Sequence, residues 1–383
     1  MNMTRVEDRV FFMDKKYFLL ITLFLISCGS GDYESSVSDS GYRLLSAVDF
    51  KPHGEIDNLE VASYSYASND CPLELTALVY RNNAKPYVIV DGQKKWLSAV
   101  YIHGGGYVSG APEAFENAYK STFKYIVDQG YMFYSLSYRV SQARNPTTHA
   151  YHLLDDGSKC DVNNVEIHND IYQGVSLMAQ RHVGVPGVEE LLAVKAVGFG
   201  ISAGGHLAAY EGVHNQSYYR AVVAISPLLN MADLVNYLKS DNRQQAQYFS
   251  MGFDNAEAID LIVGAYCGVK SVISEISVAD LYDASINNHI AYSVPIYLLV
   301  GAQDNVLPPD HAVELCDRVA ANEGVGKQMI EAVKGRKYYQ CGSQHRLLLD
   351  ENSGHNVPLP KQRLYDWFHP LGLPADILSL GRG

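Results

Sequence analysis

Residues 194–210 read VKAVGFGISAGGHLAAY. An apolar, β-branched run passes through four glycines, 198, 200, 204 and 205, that crowd around Ser202, and a helix-forming stretch follows from Ala203. A chain that lifts a serine oxygen above the edge of a sheet must leave a strand and enter a helix through a tight, strained turn. Bulky side chains two positions before or after the serine would collide with neighbouring backbone, and Gly200 and Gly204 occupy those positions. The segment 198–206 therefore reads as a G-x-S-x-G nucleophile elbow, with Ser202 at its tip and the dipole of the following helix directed at a reacting centre. So short a pattern also recurs by chance at ordinary strand–helix junctions, and its surroundings must decide.

Upstream, AVYIHGGGYVSG (99–110) places a strand directly before His103 and three glycines. A triple glycine lets backbone N–H groups turn toward developing negative charge without obstruction. The expected donors of an oxyanion hole are the amides of Gly105, Gly106 and Ala203, the last being the residue after the serine.

Strands are expected at 96–102, 131–139, 193–199, 221–227, 294–301 and 328–335, and helices at 113–130 and 169–182, with Asn169 as a plausible cap. Strands separated by helical segments imply an α/β fold with a mostly parallel central sheet and helices on both faces. The segment 140–168 is polar and loop-like. The interval 228–293 reads as a helical insertion, a cap over the end of the sheet where such folds bind ligands.

The chain has 383 residues, 47% hydrophobic and 19% charged, enough for a large core, with no linker, charge block or repeat to divide it. One domain over 46–383 is expected. Ahead of it, Lys15 and Lys16 precede the apolar run YFLLITLFLI, about half the roughly 20 residues of a membrane span, and then LISCGS. This reads as a bacterial lipoprotein signal over 1–27, with Cys28 the lipidated first residue after cleavage and 28–45 a flexible tether. The expected location is outside the cytoplasm, anchored by lipid to a bacterial membrane on its periplasmic or cell-surface side. The net charge is −12, and removal of 1–27, which carries a small positive excess, leaves the remainder more acidic still. Such a surface argues against nucleic acid and against peripheral binding to anionic lipid, so membrane attachment would rest on Cys28 alone.

The other cysteines are Cys71, Cys160, Cys267, Cys316 and Cys341. Five cannot all pair in an oxidising space, so at least one is left over unless it bonds another chain. No Cys/His spacing suggests zinc, and His149 and His152 beside Asp155 and Asp156 read as a solvated loop.

HGGGY (103–107), SYR (137–139), GISAGGHLA (200–208), VPIYLLVGAQDNVLPP (294–309) and SGHNVP (353–358) occur in this order. In these stretches the chain resembles the α/β-hydrolase family, and within it the carboxylesterases related to hormone-sensitive lipase and to bacterial polysaccharide-deacetylating esterases. The resemblance covers roughly residues 70–370. It implies an α/β-hydrolase fold and a serine carboxylesterase working through an acyl-enzyme, with no metal or organic cofactor. It also implies a catalytic order of serine, acid and histidine: Ser202, Asp304 in GAQDNV and His355 in SGHNVP. Asp310 and His345 are rivals for the last two roles, the first at an apparent helix start and the second at the approach to a strand. His206 lies on the helix leading away from the site and reads as packed or solvated.

Departures from the family's pattern fall in two places. Ile201 stands where an acidic residue commonly precedes the serine, and VSQARNPTTHAYHLLDDGSKC (140–160) replaces a proline-rich stretch. Specificity is therefore not carried over. The ester substrate is expected to be a small molecule or a polysaccharide, with acetyl or feruloyl esters of plant or microbial polysaccharide as the alternative to general ester hydrolysis. The 28 tyrosines suit carbohydrate stacking but serve equally in strands. A serine peptidase would use the same elbow, usually with a large propeller domain for which this length leaves little room. A non-catalytic binding protein on this fold would not need Ser202, Asp304 and His355 together.

Overall fold

The computed structural model describes residues 42–359 apart from 86, 91–92, 96, 143–148, 182–195, 217, 241–255, 283 and 290–293. The segment expected to be a lipoprotein signal, Cys28 and most of the expected tether lie outside the described residues.

The strands are β1 (Tyr42–Pro52), β2 (Leu59–Ser68), β3 (Leu75–Asn82), β4 (Val88–Val90), β5 (Gln93–Lys95), β6 (Leu97–Ile102), β7 (Tyr131–Leu136), β8 (Tyr151–Leu153), β9 (Lys159–Asp161), β10 (Ala196–Ile201), β11 (Tyr219–Ile225), β12 (Ile296–Gly301), β13 (Gln328–Val333), β14 (Arg336–Cys341) and β15 (His345–Asp350). Eleven of them form one sheet in the order β1-β2-β3-β7-β6-β10-β11-β12-β15-β14-β13, while β4-β5 and β8-β9 pair as separate two-stranded units. The run from β7 to β15 is parallel. Both flanks are antiparallel. The six central strands are thus parallel, as expected, and the antiparallel flanks make the sheet as a whole mixed. The reason is connection length: parallel neighbours need a crossover of a dozen residues or more, whereas β13 and β14 are joined by Lys334-Gly335 alone, both at positive φ.

Inside the parallel run successive side chains feed two different cores. Val222 and Ala224 face one, and Ala221, Val223 and Ile225 the other; Leu298 and Val300 are opposed in the same way to Tyr297 and Leu299. Burial on both faces is why these strands read as continuous apolar runs.

Helix α1 (Ala114–Asp128) covers one face through Phe115, Phe123, Ile126 and Val127. There Phe115 meets Phe199 edge-on, with ring centroids 4.7 Å apart, and Phe123 meets Phe133 at 5.2 Å. The opposite face carries α2 (Asn164–Arg181), α3 (Ala203–His214) and α7 (Asp310–Asn322). Within the 228–293 insertion lie α4 (Met231–Lys239), α5 (Ala256–Cys267), the short α6 (Val272–Glu275) and two single 3₁₀ turns.

Three local expectations are corrected. The α2 helix begins at Asn164, and Asn163 caps it, its side-chain oxygen accepting the Glu166 N–H at 3.0 Å, so Asn169 lies inside the helix. The segment 140–168 is not wholly loop, because it contains β8 and β9. Strand β1 also begins inside the stretch read as tether.

Disulfides join Cys71 to Cys160 and Cys316 to Cys341. No cysteine among the described residues is a free thiol, so the leftover thiol expected from the odd count is not found there.

Candidate active site

Ser202 sits between the end of β10 and the start of α3 at φ 58° and ψ −124°. That backbone region is essentially reserved for glycine and costs a serine about 1–3 kcal/mol. The conformation is held from both sides: the Ser202 N–H donates to the Ile225 carbonyl at 2.8 Å, and its own carbonyl accepts the His206 N–H at 3.0 Å. Although Ser202 occupies the N-cap position, its hydroxyl makes no capping bond. The tightness of the turn explains its glycines. A Cβ on Gly200 would overlap the Gly204 carbonyl, and one on Gly204 would overlap the carbonyl oxygens of Ile102 and His103.

The glycine loop lies against this turn. A Cβ on Gly104 would come within 2.6 Å of the Ile201 carbonyl oxygen and 3.3 Å of Ser202 Cβ. Gly105, Gly106 and Tyr107 follow at φ 107°, 62° and 62°. The amides of Gly105, Gly106 and Ala203 donate to no backbone or side-chain acceptor among the described residues. His103 anchors the loop's start: its ring stacks on Tyr138 at 4.2 Å, and its carbonyl accepts the Tyr138 hydroxyl at 3.0 Å. Burial lowers the His103 pKa to about 4 and leaves its Nε2 without a partner.

The neighbouring Arg139 has a purely architectural task. Its guanidinium forms two 2.8 Å hydrogen bonds to the fully buried carboxylate of Asp170, which also accepts the Tyr42 hydroxyl at 2.6 Å. Paired and hydrogen-bonded on several sides, these buried charges fix β1, α2 and the exit from β7 relative to one another.

Asp304 and His355 approach from the far side of β11. Asp304 is 3% exposed; one carboxylate oxygen accepts the N–H groups of Val306 at 2.8 Å and Leu307 at 2.9 Å. The other is 2.9 Å from His355 Nδ1. An aspartate whose Oδ1 is spent on the backbone presents Oδ2 in a fixed direction, which selects the imidazole tautomer carrying its proton on Nδ1 and leaves Nε2 as the acceptor. The loop bearing His355 is pinned in turn, since the Ser226 hydroxyl donates to the His355 carbonyl at 2.7 Å and the Gln303 N–H to the Ser353 carbonyl at 2.9 Å.

Ser202 Oγ and His355 make no hydrogen bond with one another in this structure; such bonds are often long without substrate and tighten when it binds. The rivals hold other positions. Asp310 is exposed in the first turn of α7, and His345 is buried at the start of β15, where its Nδ1 accepts the Ile296 N–H at 3.1 Å.

A cavity of about 320 Å³ opens beside Ser202. The glycine loop and Ala203 form one wall, and Leu234 of α4 with Ile259, Ile262 and Val263 of α5 form the other. The insertion therefore supplies an apolar ceiling, and Ile262 lies almost against the glycine loop: a Cβ on Gly106 would sit 3.1 Å from its Cγ1.

His206, in the first turn of α3, is completely buried, and burial lowers its pKa to about 3, so the ring is neutral. Its Nε2–H donates to the Ala284 carbonyl at 3.0 Å, and its Nδ1 accepts the Tyr107 hydroxyl at 2.9 Å. Reading the sequence left this histidine between packed and solvated and did not find its partner. The two residues stand 99 positions apart, and no local spacing announces the bond.

The BD-FAE family model matches residues 87–152, a stretch that contains the glycine loop and Arg139. No curated protein matches the chain. Among solved structures the chain is similar to an esterase from the fungus Rhizomucor miehei at 14% identity, covering 80% of this chain and 81% of that one with a TM-score of 0.50. It is also similar to a hyperthermophilic esterase from the archaeon Pyrobaculum calidifontis (17% identity, 78% and 76% covered, TM-score 0.47). Acetyl xylan esterase 1 from Thermoanaerobacterium sp. JW/SL YS485 gives 15% identity, 86% and 87% coverage and a TM-score of 0.45. At 14% identity the likeness to the Rhizomucor miehei esterase bears on the fold alone.

Proposed function

We propose that this chain, an α/β-hydrolase-fold protein, is a serine carboxylesterase. The observation that carries the reading is Ser202 itself, a non-glycine residue held at φ 58° on a strand–helix turn with its hydroxyl unspent. Ser202 Oγ attacks the ester carbonyl while His355 Nε2 takes its proton. The amides of Gly105, Gly106 and Ala203 receive the charge that develops on the carbonyl oxygen. His355 then gives the proton to the departing alcohol, and water admitted by the same base releases the acid from the acyl-enzyme. Asp304 stays ionised, keeps the imidazole in the productive tautomer and stabilises its cation.

Between general ester hydrolysis and deacylation of polysaccharides, the cavity favours the former. Its lining is largely apolar and its volume far exceeds that of an acetyl group. Tyrosine abundance lends the polysaccharide reading little support, because Tyr64, Tyr66, Tyr107, Tyr131, Tyr134, Tyr266 and Tyr297 are among the largest fully buried side chains.

The test pairs fluorophosphonate labelling with turnover of p-nitrophenyl esters from acetate to laurate. Wild type is expected to label and turn over, with rates greatest at medium chain length, and Ser202→Ala to do neither while remaining folded. Labelling of the variant at the wild-type rate would remove Ser202 from the role.

Export and a lipid anchor on Cys28 form part of the same proposal. The Cys71–Cys160 and Cys316–Cys341 disulfides support it, since such bonds persist in oxidising compartments. Radiolabelled palmitate is expected to enter the wild-type chain and not Cys28→Ala; equal incorporation would refute the anchor.

A further inference from the structure

An oxyanion hole assembled from two separate chain segments must hold a fixed spacing between them. Here the amides of Gly105 and Gly106 belong to the loop after β6, and that of Ala203 belongs to the elbow after β10. The loop is locally unfavourable, with three successive residues at positive φ ending in Tyr107, for which that conformation costs about 1–2 kcal/mol. Something outside the loop must therefore maintain it.

The side chain that leaves the loop at its strained end is that of Tyr107, and it is wholly buried. Its hydroxyl donates to His206 Nδ1 at 2.9 Å. His206 rides on the elbow helix one turn beyond Ser202, and its own N–H closes that turn on the Ser202 carbonyl. The far side of the ring donates from Nε2 to the Ala284 carbonyl, within the insertion. That second bond leaves Nδ1 as the acceptor, so the Tyr107 hydroxyl has a single productive orientation. Tyr266 of α5 packs edge-on against the His206 ring at 4.9 Å and lies against Tyr107 at 4.9 Å, which keeps water out.

We propose that the Tyr107–His206–Ala284 bridge positions the oxyanion hole, setting the separation between the glycine-loop amides and the Ala203 amide. Tyr107 and His206 are thus positioning residues: they act through the backbone donors and take no part in proton transfer. The inference rests on the reading of Ser202 as nucleophile. A buried pair that served stability alone would, when broken, lower the melting temperature and loosen substrate binding along with turnover. A pair that sets the spacing of transition-state donors acts on kcat and leaves KM nearly untouched.

The experiment compares wild type, Ser202→Ala, Tyr107→Phe, His206→Asn and His206→Leu on p-nitrophenyl butyrate, with melting temperatures alongside. Losing one well-placed oxyanion donor outright costs about 10²–10³ in kcat. Displacing donors through Tyr107→Phe is expected to cost about tenfold or more, with KM within about twofold. His206→Asn retains an acceptor near the Nδ1 position and is expected to lose less kcat than His206→Leu, which retains none. A Tyr107→Phe enzyme within about twofold of wild type in kcat would overturn the proposal, as would parallel changes in kcat, KM and melting temperature across the series. Should Ser202→Ala turn over as fast as wild type, the nucleophile assignment would fail first and the bridge would fall with it. Normal Tyr107→Phe turnover with an inactive Ser202→Ala would sink the bridge alone.

Discussion

Asp304 shows how much chemistry one side chain can organise. It donates nothing, yet three groups converge on it: the amides of Val306 and Leu307 at one oxygen and His355 at the other. Asp304→Asn would preserve the shape and replace an acceptor at the imidazole with a donor or a neutral oxygen. The expected outcome is a kcat lower by about 10⁴ at unchanged fold, as the wrong tautomer becomes dominant. A rate within about tenfold of wild type would point to another acid. The proposed roles of Ser202, Asp304 and His355 are suggested in the sequence because each lies in a short stretch, GISAGGHLA, GAQDNV or SGHNVP, that resembles the α/β-hydrolase pattern. The link between Tyr107 and His206 leaves no such mark, since it depends on two loops meeting in space.

At the scale of elements, what was legible followed burial. The strands β6, β7, β10, β11 and β12 lie inside the sheet and are covered on both faces, so each reads as an apolar run and was located to within a few residues. The flanks were harder. β1 is a largely exposed edge strand whose mixed side chains resemble loop, and the hairpin β8-β9 is three residues on each side; β13, though also largely exposed, agrees with the strand expected at 328–335. The insertion was visible as helical sequence capping the ligand-binding end of the sheet, but not which of its side chains line the cavity: Leu234 of α4 and Ile259, Ile262 and Val263 of α5. Ile262→Ala would deepen that cavity beside Gly106. A shift in the laurate-to-butyrate ratio of kcat/KM of about tenfold toward laurate is expected, the scale of a few methylenes in an apolar pocket. An unchanged ratio would mean that the acyl chain lies elsewhere.

The whole molecule carries a dependence on acidity that comes from its interior. Burial lowers the pKa of His103, His214 and His345 to about 4 and that of His206 to about 3. Their unfolded counterparts take up protons around pH 6.5, whereas in the folded protein these rings stay neutral down to about pH 4 for three of them and about pH 3 for His206. Because the unfolded state then binds more protons, stability declines as pH falls from about 6.5 toward 4. Melting curves at pH 7, 6 and 5 should show a steady loss that starts above the range in which carboxylates titrate. A melting temperature constant down to pH 5 would mean that these histidines are not buried as described.

The backbone of Ser202 has a further consequence, for the trade between durability and activity. A residue forced into a glycine conformation is a standing debt in the native state, and only the chemistry justifies it. Ser202→Gly, unlike Ser202→Ala, would discharge it. Even after glycine's greater unfolded-state entropy is subtracted, the inert protein should outlast the active one by about 1 kcal/mol, a melting temperature higher by about 1–2 °C. The most thermally robust form of this enzyme would then be one that cannot work.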